Sequence, residues 1–363
     1  MTGSATRRPR LDIVGWSATS PFGTGRNAFA EGLREGRSTA APLDHERWQV
    51  PAGSGCLVPD FEVRSVLGKK GTRMMNRVTG LAVSTVGDLL AGMDRTGLTP
   101  ETTGLVLGTS GGSVQSTLDF TKGSLTAQRP FLVEPGLIPY GVMNGAAGQV
   151  AIWHVLKGPN ATLAAGRSAA VPALNYARRL LLTGRAGTVL CGAAEEYSTA
   201  RAWLARHTAE GSPDELLLGE GCAMFALSAA DPDSAPAGAS LVGVKAMTCS
   251  DGNWAEVLRR CVERLLFDAD AKPDEVWAVS PSGAAGASGD AEQALAEELA
   301  EAGDGTVVPV AHLLGEAQAA SAAFQLAAVV SLAEDDVRSA GRLSLVTTTD
   351  EGGTVAAALL RHH

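Results

Sequence analysis

One order of strand, glycine-rich loop and helix is written into this chain twice, and that repetition narrows the folds open to it more than any other feature. In the first half, Leu11 to Trp16 predicts a strand leading into Ser20-Pro21-Phe22-Gly23, then a helix from about Arg26 to Arg34. Gly104 to Gly108 predicts a buried strand ending in Thr109-Ser110-Gly111-Gly112, with a helix starting at Val114. Helical spacing covers Arg77 to Gly92, and Pro139 to Leu156 predicts one long helix. Thr188 to Cys191 opens into Gly192-Ala193-Ala194-Glu195, and Cys222 to Leu227 is a further strand. After a Pro- and Ala-rich joint, Asp231 to Ala239, the pattern returns. Leu241 to Ala246 matches the first strand, and Ala255 to Phe267 is a helix. Glu275 to Val279 runs into Ser280-Pro281-Ser282-Gly283, and residues 315 to 333 form an Ala-rich helix. Leu343 to Thr347 and Thr354 to Leu360 flank Glu351-Gly352-Gly353. Two such halves, 1–235 and 236–363, predict an α/β unit of duplicated βαβαβ halves in alternating α-β-α-β-α layers.

Composition excludes several functions. With 363 residues the chain is long enough for a large core, and a net charge of −9 argues against a nucleic-acid groove. An acidic protein partner would need a local basic patch. The five cysteines (Cys56, Cys191, Cys222, Cys249 and Cys261) have no zinc-like spacing, and their odd number argues against a disulfide framework. They read as buried thiols in a reducing, cytoplasmic setting. The start carries Arg7, Arg8 and Arg10 before a short apolar run, which is not the pattern of a signal peptide. No run is long and apolar enough to span a membrane. His362 and His363 are given no role.

The chemistry concentrates at residues 157 to 171. Ala161 to Ala165 predicts a short strand, Gly166 a sharp turn, and Ser168 to Leu182 a helix. A side chain at such a helix tip meets free N–H groups and the positive end of the dipole, which suit a nucleophile or an anion. The residue there is Arg167, permanently cationic and without an acceptor lone pair. It plugs a pocket, pairs with an acid such as Glu195 or Glu351, or binds a carboxylate or phosphate. A buried guanidinium needs a partner in every case. Ser168 is either a replacement nucleophile or a helix cap. Gly108 to Gly112 lacks the lysine and spacing of a phosphate loop and reads as a strand-to-helix turn.

Four short runs, taken in order, resemble the ketosynthase family of fatty-acid and polyketide synthesis, which has the thiolase fold. They are Gly158-Pro159-Asn160-Ala161-Thr162, Gly184-Arg185-Ala186 with Val189 to Glu195, Gly219-Glu220-Gly221, and Gly352-Gly353-Thr354. The resemblance spans roughly residues 10 to 360. It implies a cysteine that takes an acyl chain as a thioester and two histidines for decarboxylation and the oxyanion. Carried over, the cysteine falls on Arg167. The first histidine falls on Ser282, with Gly283 and Asp290 keeping its frame, and the second on His312. The lysine preceding the second histidine falls on Val307, and a gating phenylalanine falls on Glu351. Only His312 keeps its type, as an oxyanion donor or a satisfied core histidine.

A ketosynthase frame without its nucleophile resembles the chain-length-factor subunit of type II polyketide synthases. The implied partners are an active ketosynthase subunit, forming a heterodimer, and an acyl carrier protein bearing the growing chain. No catalytic residue, cofactor or metal is expected on this chain, nor a nucleic-acid or membrane partner. Gln115, Leu118 and Phe120 are then candidate tunnel walls, and Tyr140 and Met143 candidate contacts to the partner, against plain core packing. The stretch between Glu195 and Gly219 is short for an active member. Two other readings stand beside this one: an acyltransferase or ketosynthase-like enzyme using Ser168, and a homodimeric pseudoenzyme scaffold.

Overall fold

The computed structural model describes residues 9–208 and 217–363. The arginines Arg7 and Arg8, and residues 209–216 of the shortened stretch, lie outside the described residues.

Ten strands form the path of one large sheet. They are β1 (Arg10–Ser20), β2 (Thr103–Thr109), β3 (Asn160–Ala164), β4 (Thr188–Glu195), β5 (Gly221–Ala230), β6 (Ala239–Thr248), β7 (Val276–Ser280), β8 (Thr306–Val307), β9 (Leu343–Thr349) and β10 (Thr354–His362). Their spatial order is β8-β7-β9-β10-β6-β1-β5-β4-β2-β3. Each half therefore carries the same internal order, third-second-fourth-fifth-first. Within each half the second, third and fourth strands run parallel and the remaining pairings are antiparallel. The duplication expected from the sequence is present strand for strand.

The halves meet along the sheet at only two residue pairs, Asp12↔Ser240 and Ile13↔Ala239. Asp12 is buried there, and burial pushes its carboxyl up. Hydrogen bonds from Arg10 and from the Ser240 hydroxyl (2.8 Å) outweigh burial and hold it below the usual carboxylate range. Beyond this seam the two half-sheets are held by helices. Helices α1 (Arg26–Glu35), α2 (Arg77–Gly92), α3 (Val114–Thr126), α4 (Gly145–His154), α5 (Ala170–Leu182), α6 (Thr199–Thr208), α7 (Trp254–Asp268), α8 (Gly286–Ala302) and α9 (Ala319–Asp335) are the longer ones. Helices α2 and α4 share one outer core with the first half-sheet, and α7 and α8 another with the second. Between the half-sheets, α5 and α9 occupy a common core. Every residue of α9 from Ala319 to Ser331 is buried. A helix buried all round must be apolar on every face, and alanine keeps it thin.

Two expected elements differ from the sequence reading. The long helix over Pro139 to Leu156 is broken into a turn at Ile138–Gly141 and α4, with Val142 extended between them. The corner is tight: a Cβ on Gly145 would lie 2.3 Å from the Pro139 carbonyl oxygen. The Ala-rich helix begins at Ala319 rather than residue 315, because Gly315 and Gln318 both take positive φ, 71° and 45°. All five cysteines are buried and free. Cys191 lies mid-strand in β4, paired with Val106 and Phe225, and burial pushes its thiol well above the usual range.

Helix α5 reaches its position because β2 has no side chain in the way. A Cβ on Gly108 would meet the Ala169 carbonyl carbon and oxygen, each at 2.8 Å. Gly108→Ala is expected to lower stability by about 1–3 kcal/mol through overpacking, read as a lower urea midpoint with unchanged m-value. An unchanged midpoint would show that the helix has room to retreat.

Candidate functional site

The tip of α5 is built from a strand that stops and a turn that only glycine makes easily. β3 ends at Ala164, Gly166 takes φ 48°, and Gly166–Ser168 form one 3₁₀ turn running into α5. A cation at this end of a helix opposes the dipole, so Arg167 needs compensating anions. Its guanidinium Nη1 makes an ion pair with Glu316 without hydrogen-bond alignment, and the two side chains are 11% and 12% exposed. The partners expected from sequence, Glu195 and Glu351, do not hold it. Glu351 is exposed in the β9–β10 loop, and Glu195 lies at the end of β4 beside Arg201 and Ser110. Glu316 was not foreseen because it sits 149 positions away, in the loop ahead of α9.

That loop is wired from every side. The Glu316 carboxylate accepts from the Gln318 amide (2.8 Å), and its carbonyl accepts from Arg201 Nη2 (2.6 Å) and the Gly219 amide (2.9 Å). Its own amide donates to the Leu217 carbonyl (2.7 Å). Arg201 Nη1 also donates to the carbonyls of Glu196 (3.0 Å) and Gly219 (2.7 Å). The Arg167 backbone amide donates to Asp350 Oδ2 at 3.0 Å. Asp350 opens the same loop as Gly352-Gly353 and holds the Gly352 amide through Oδ1 (2.9 Å), the ordinary Asx turn of an Asp two residues before a glycine.

Ser168 is fully buried and shares a hydrogen bond with Thr348 Oγ1 at 3.2 Å. No base is paired with it, and the contact is that of a packed hydroxyl. Ser282 is buried and donates to Glu292 Oε2 at 2.5 Å. Asp290, which matched the family frame, is exposed on α8; Glu292 is the acid that faces Ser282. Burial pushes the Glu292 carboxyl up, while Ser282, Thr347 and the charge of Arg167 pull it down. Val307 is partly buried and packs against the outer core of the second half. His312 is exposed, which corrects the expectation of a core histidine. The four-residue helix Ala311–Leu314 buries Leu313 and Leu314 and turns His312 outward.

A second group of buried charges lies behind the tip. Glu220 accepts from Arg77 Nε (2.6 Å) and Nη2 (2.5 Å) and from the amides of Val58 and Tyr197. Glu196 has no guanidinium of its own and accepts from Ser113 Oγ (2.7 Å) and the Val78 amide (3.0 Å). Burial pushes its pKa up to about 7. The hydrogen bonds from Ser113 and Val78 oppose the shift, and Glu195 and Glu220 add to it. The motif Gly219-Glu220-Gly221 marked this place in the sequence; nothing marked Arg77 as the counter-ion of Glu220.

Glu196, Arg77 and Ser113 line an open cavity of about 660 Å³ with Gln115, Trp48 and Arg73. Gln115 also accepts from the Ala200 amide (3.0 Å) and so ties α3 to α6. Leu118 and Phe120 are on α3 outside this cavity; Leu118 is 48% exposed and Phe120 half-buried. Met143 is exposed beside Gly112, while Tyr140 is half-buried and packs against the outer core of the first half.

Comparisons with known proteins agree in kind. A family model described as "Beta-ketoacyl synthase, N-terminal domain" matches residues 9–232. A curated relative, 3-oxoacyl-[acyl-carrier-protein] synthase 2 of Synechocystis sp., is 26% identical over 370 residues, spanning 91% of this chain and 87% of its own length. A solved structure of the ishigamide ketosynthase/chain length factor is 43% identical with a TM-score of 0.89, covering 97% of this chain and 99% of that one. A β-ketoacyl synthase from Burkholderia phymatum has the same fold at 19% identity, TM-score 0.83, covering 98% of this chain and all of that one.

Two expectations arise from the charges. Arg167→Met leaves Glu316 without its cation and should cost about 3 kcal/mol, and adding Glu316→Gln should recover at least half of it. Urea unfolding of the three chains reads this; additive losses would mean the two side chains do not interact. Glu196, raised from 4.5 to about 7, contributes stability that is complete below about pH 4.5 and lost as pH rises through 7. Glu196→Gln should flatten stability over that window, where the natural slope from this group is up to ~1.4 kcal/mol per pH unit. An identical slope in both chains would count against the shift.

Proposed function

The chain belongs to the β-ketoacyl synthase family, and from that premise we propose that it is a non-condensing, chain-length-factor-type subunit of a type II polyketide synthase. The observation that carries this reading is Arg167. Where a family member would hold its thiol, this chain holds a guanidinium in an ion pair with Glu316. A guanidinium cannot attack a thioester, and of the two histidine positions one holds Ser282, tied to Glu292, while His312 at the other is exposed. The contribution of this subunit is then steric. It completes a dimer and bounds the space into which the partner's growing chain extends.

Two surfaces support the pairing. Strand β3 is an edge of the large sheet, so one side of its backbone has no strand partner. Residues 118 to 155 expose Leu118, Leu125, Phe131, Leu132, Ile138, Val142, Met143, Ile152 and Val155, and exposed apolar residues gathered in one stretch mark an interaction surface. The occupant proposed for this face is the active ketosynthase subunit, its homologous edge strand continuing the sheet. Leu118 and Phe120 on α3 would border the tunnel that the partner closes.

The carrier protein is acidic, and this chain of net charge −9 offers it one dense basic face. Arg64, Lys69, Lys70 and Arg73 are exposed within ten residues, and Lys69, Lys70 and Arg73 form no ion pair among the described residues. Charge complementarity favours this face for the carrier.

The test is co-expression with an active ketosynthase. The pair should purify together, and intact mass after exposure to an acyl-carrier thioester should place the acyl group on the partner alone. An acyl adduct on this chain would overturn the reading. In the pair, Leu118→Ala should lengthen products by at least one extension unit; an unchanged product distribution removes Leu118 from the tunnel wall.

A further inference from the structure

Loss of the thiol is the visible lesion at the α5 tip, and the geometry there carries a second one. A thiol at position 167 attacking a thioester carbonyl would put a negative oxygen beside the tip, and backbone N–H groups aimed at that oxygen would stabilise it. In this chain the donor at the tip itself, the Arg167 amide, is already in use. Asp350 Oδ2 accepts from the Arg167 amide at 3.0 Å and Oδ1 from the Gly352 amide at 2.9 Å. The Arg167 amide is thus capped by a carboxylate from the opposite half of the molecule, which the Gly352 amide holds in place through its other oxygen. The contact is close: a Cβ on Gly166 would lie 2.1 Å from Asp350 Oδ2 and 3.0 Å from Cγ. Asp350 is also locked in place, its amide bonded to the Thr354 carbonyl and its carbonyl to the Gly353 amide, both 2.9 Å.

Resting on the non-condensing reading, we infer that Asp350 is an internal anion occupying the place where a reaction oxyanion would form, so that the site is silenced by occupancy as well as by substitution. A fixed carboxylate here acts twice. It takes the Arg167 N–H that a tetrahedral intermediate at the tip would need, and its charge disfavours both a thiolate and an oxyanion next to it. Restoring sulfur alone therefore does not restore acyl transfer. In the acylation at issue, the introduced sulfur bonds to the thioester carbonyl carbon and loses its proton to solvent. The donor's carbon–sulfur bond then breaks and the donor leaves as a free thiol, with no change of oxidation state.

The experiment compares Arg167→Cys with the double variant Arg167→Cys/Asp350→Gly. Both lack Arg167, so the unpairing of Glu316 is common to them. Each is exposed to an octanoyl thioester of N-acetylcysteamine and followed by intact mass, with the natural chain as the control for its five buried cysteines. The double variant should gain one acyl group at least tenfold faster than the single. Equal rates, two rates of zero included, overturn the inference. If circular dichroism shows either variant unfolded, the decision passes to Asp350→Gly with Arg167 intact. Hydrogen exchange in the peptide spanning 164 to 170 should then show the Arg167 amide deprotected, and unchanged protection overturns the inference. An adduct on the natural chain would sink the non-condensing reading instead, a result separate from either comparison.

Discussion

Two half-sheets touch at only two residue pairs, so the space between them must be filled, and α5 and α9 fill it. The rest of the molecule is arranged around that constraint. Helix α9 is enclosed along Ala319 to Ser331, and its many alanines keep it thin between the half-sheets. Helix α5 enters the same layer, with Gly108 letting it lie against β2. Its first turn is therefore delivered to the seam between the halves. Whatever stands at position 167 faces loops of the second half, the one ahead of α9 and the one between β9 and β10.

Charges in and behind this seam are largely buried, and buried charge must be matched. The chain matches it unevenly. Glu220 has Arg77, Glu316 has Arg167, and Arg201 is spent largely on carbonyls. Glu196 is left with a hydroxyl and an amide, and its elevated pKa is the result. In the same terms, Arg167 is not an inert filler. It neutralises Glu316 and lowers the cost of burying Glu292, which faces Ser282 without a cation of its own.

Much of the fold was legible in the sequence because periodicity survives without knowledge of contacts. The strand–loop–helix order was read twice, and the strand order within each half repeats accordingly. The misread elements are those where backbone geometry overrides composition. The run from Pro139 to Leu156 predicts one helix with small residues inside it, yet the corner at Gly145 breaks it, and Gln318 at positive φ delays α9. At the site, the position of Arg167 was legible and its partners were not. Glu316 and Asp350 come from loops remote in sequence, and acids nearer to hand in motif terms, Glu195 and Glu351, point elsewhere. His312 kept its residue type but not its burial, which shows that a retained letter does not imply a retained environment.

The edge at β3 has a consequence for how such a protein must be made. Its residues, Asn160-Ala161-Thr162-Leu163-Ala164, include no lysine, proline or bulge of the kind that discourages stray pairing. Until a companion strand covers it, every newly finished copy offers a template to any other extended chain nearby. In the heterodimer proposed above, supply of the partner would then limit how much usable assembly accumulates.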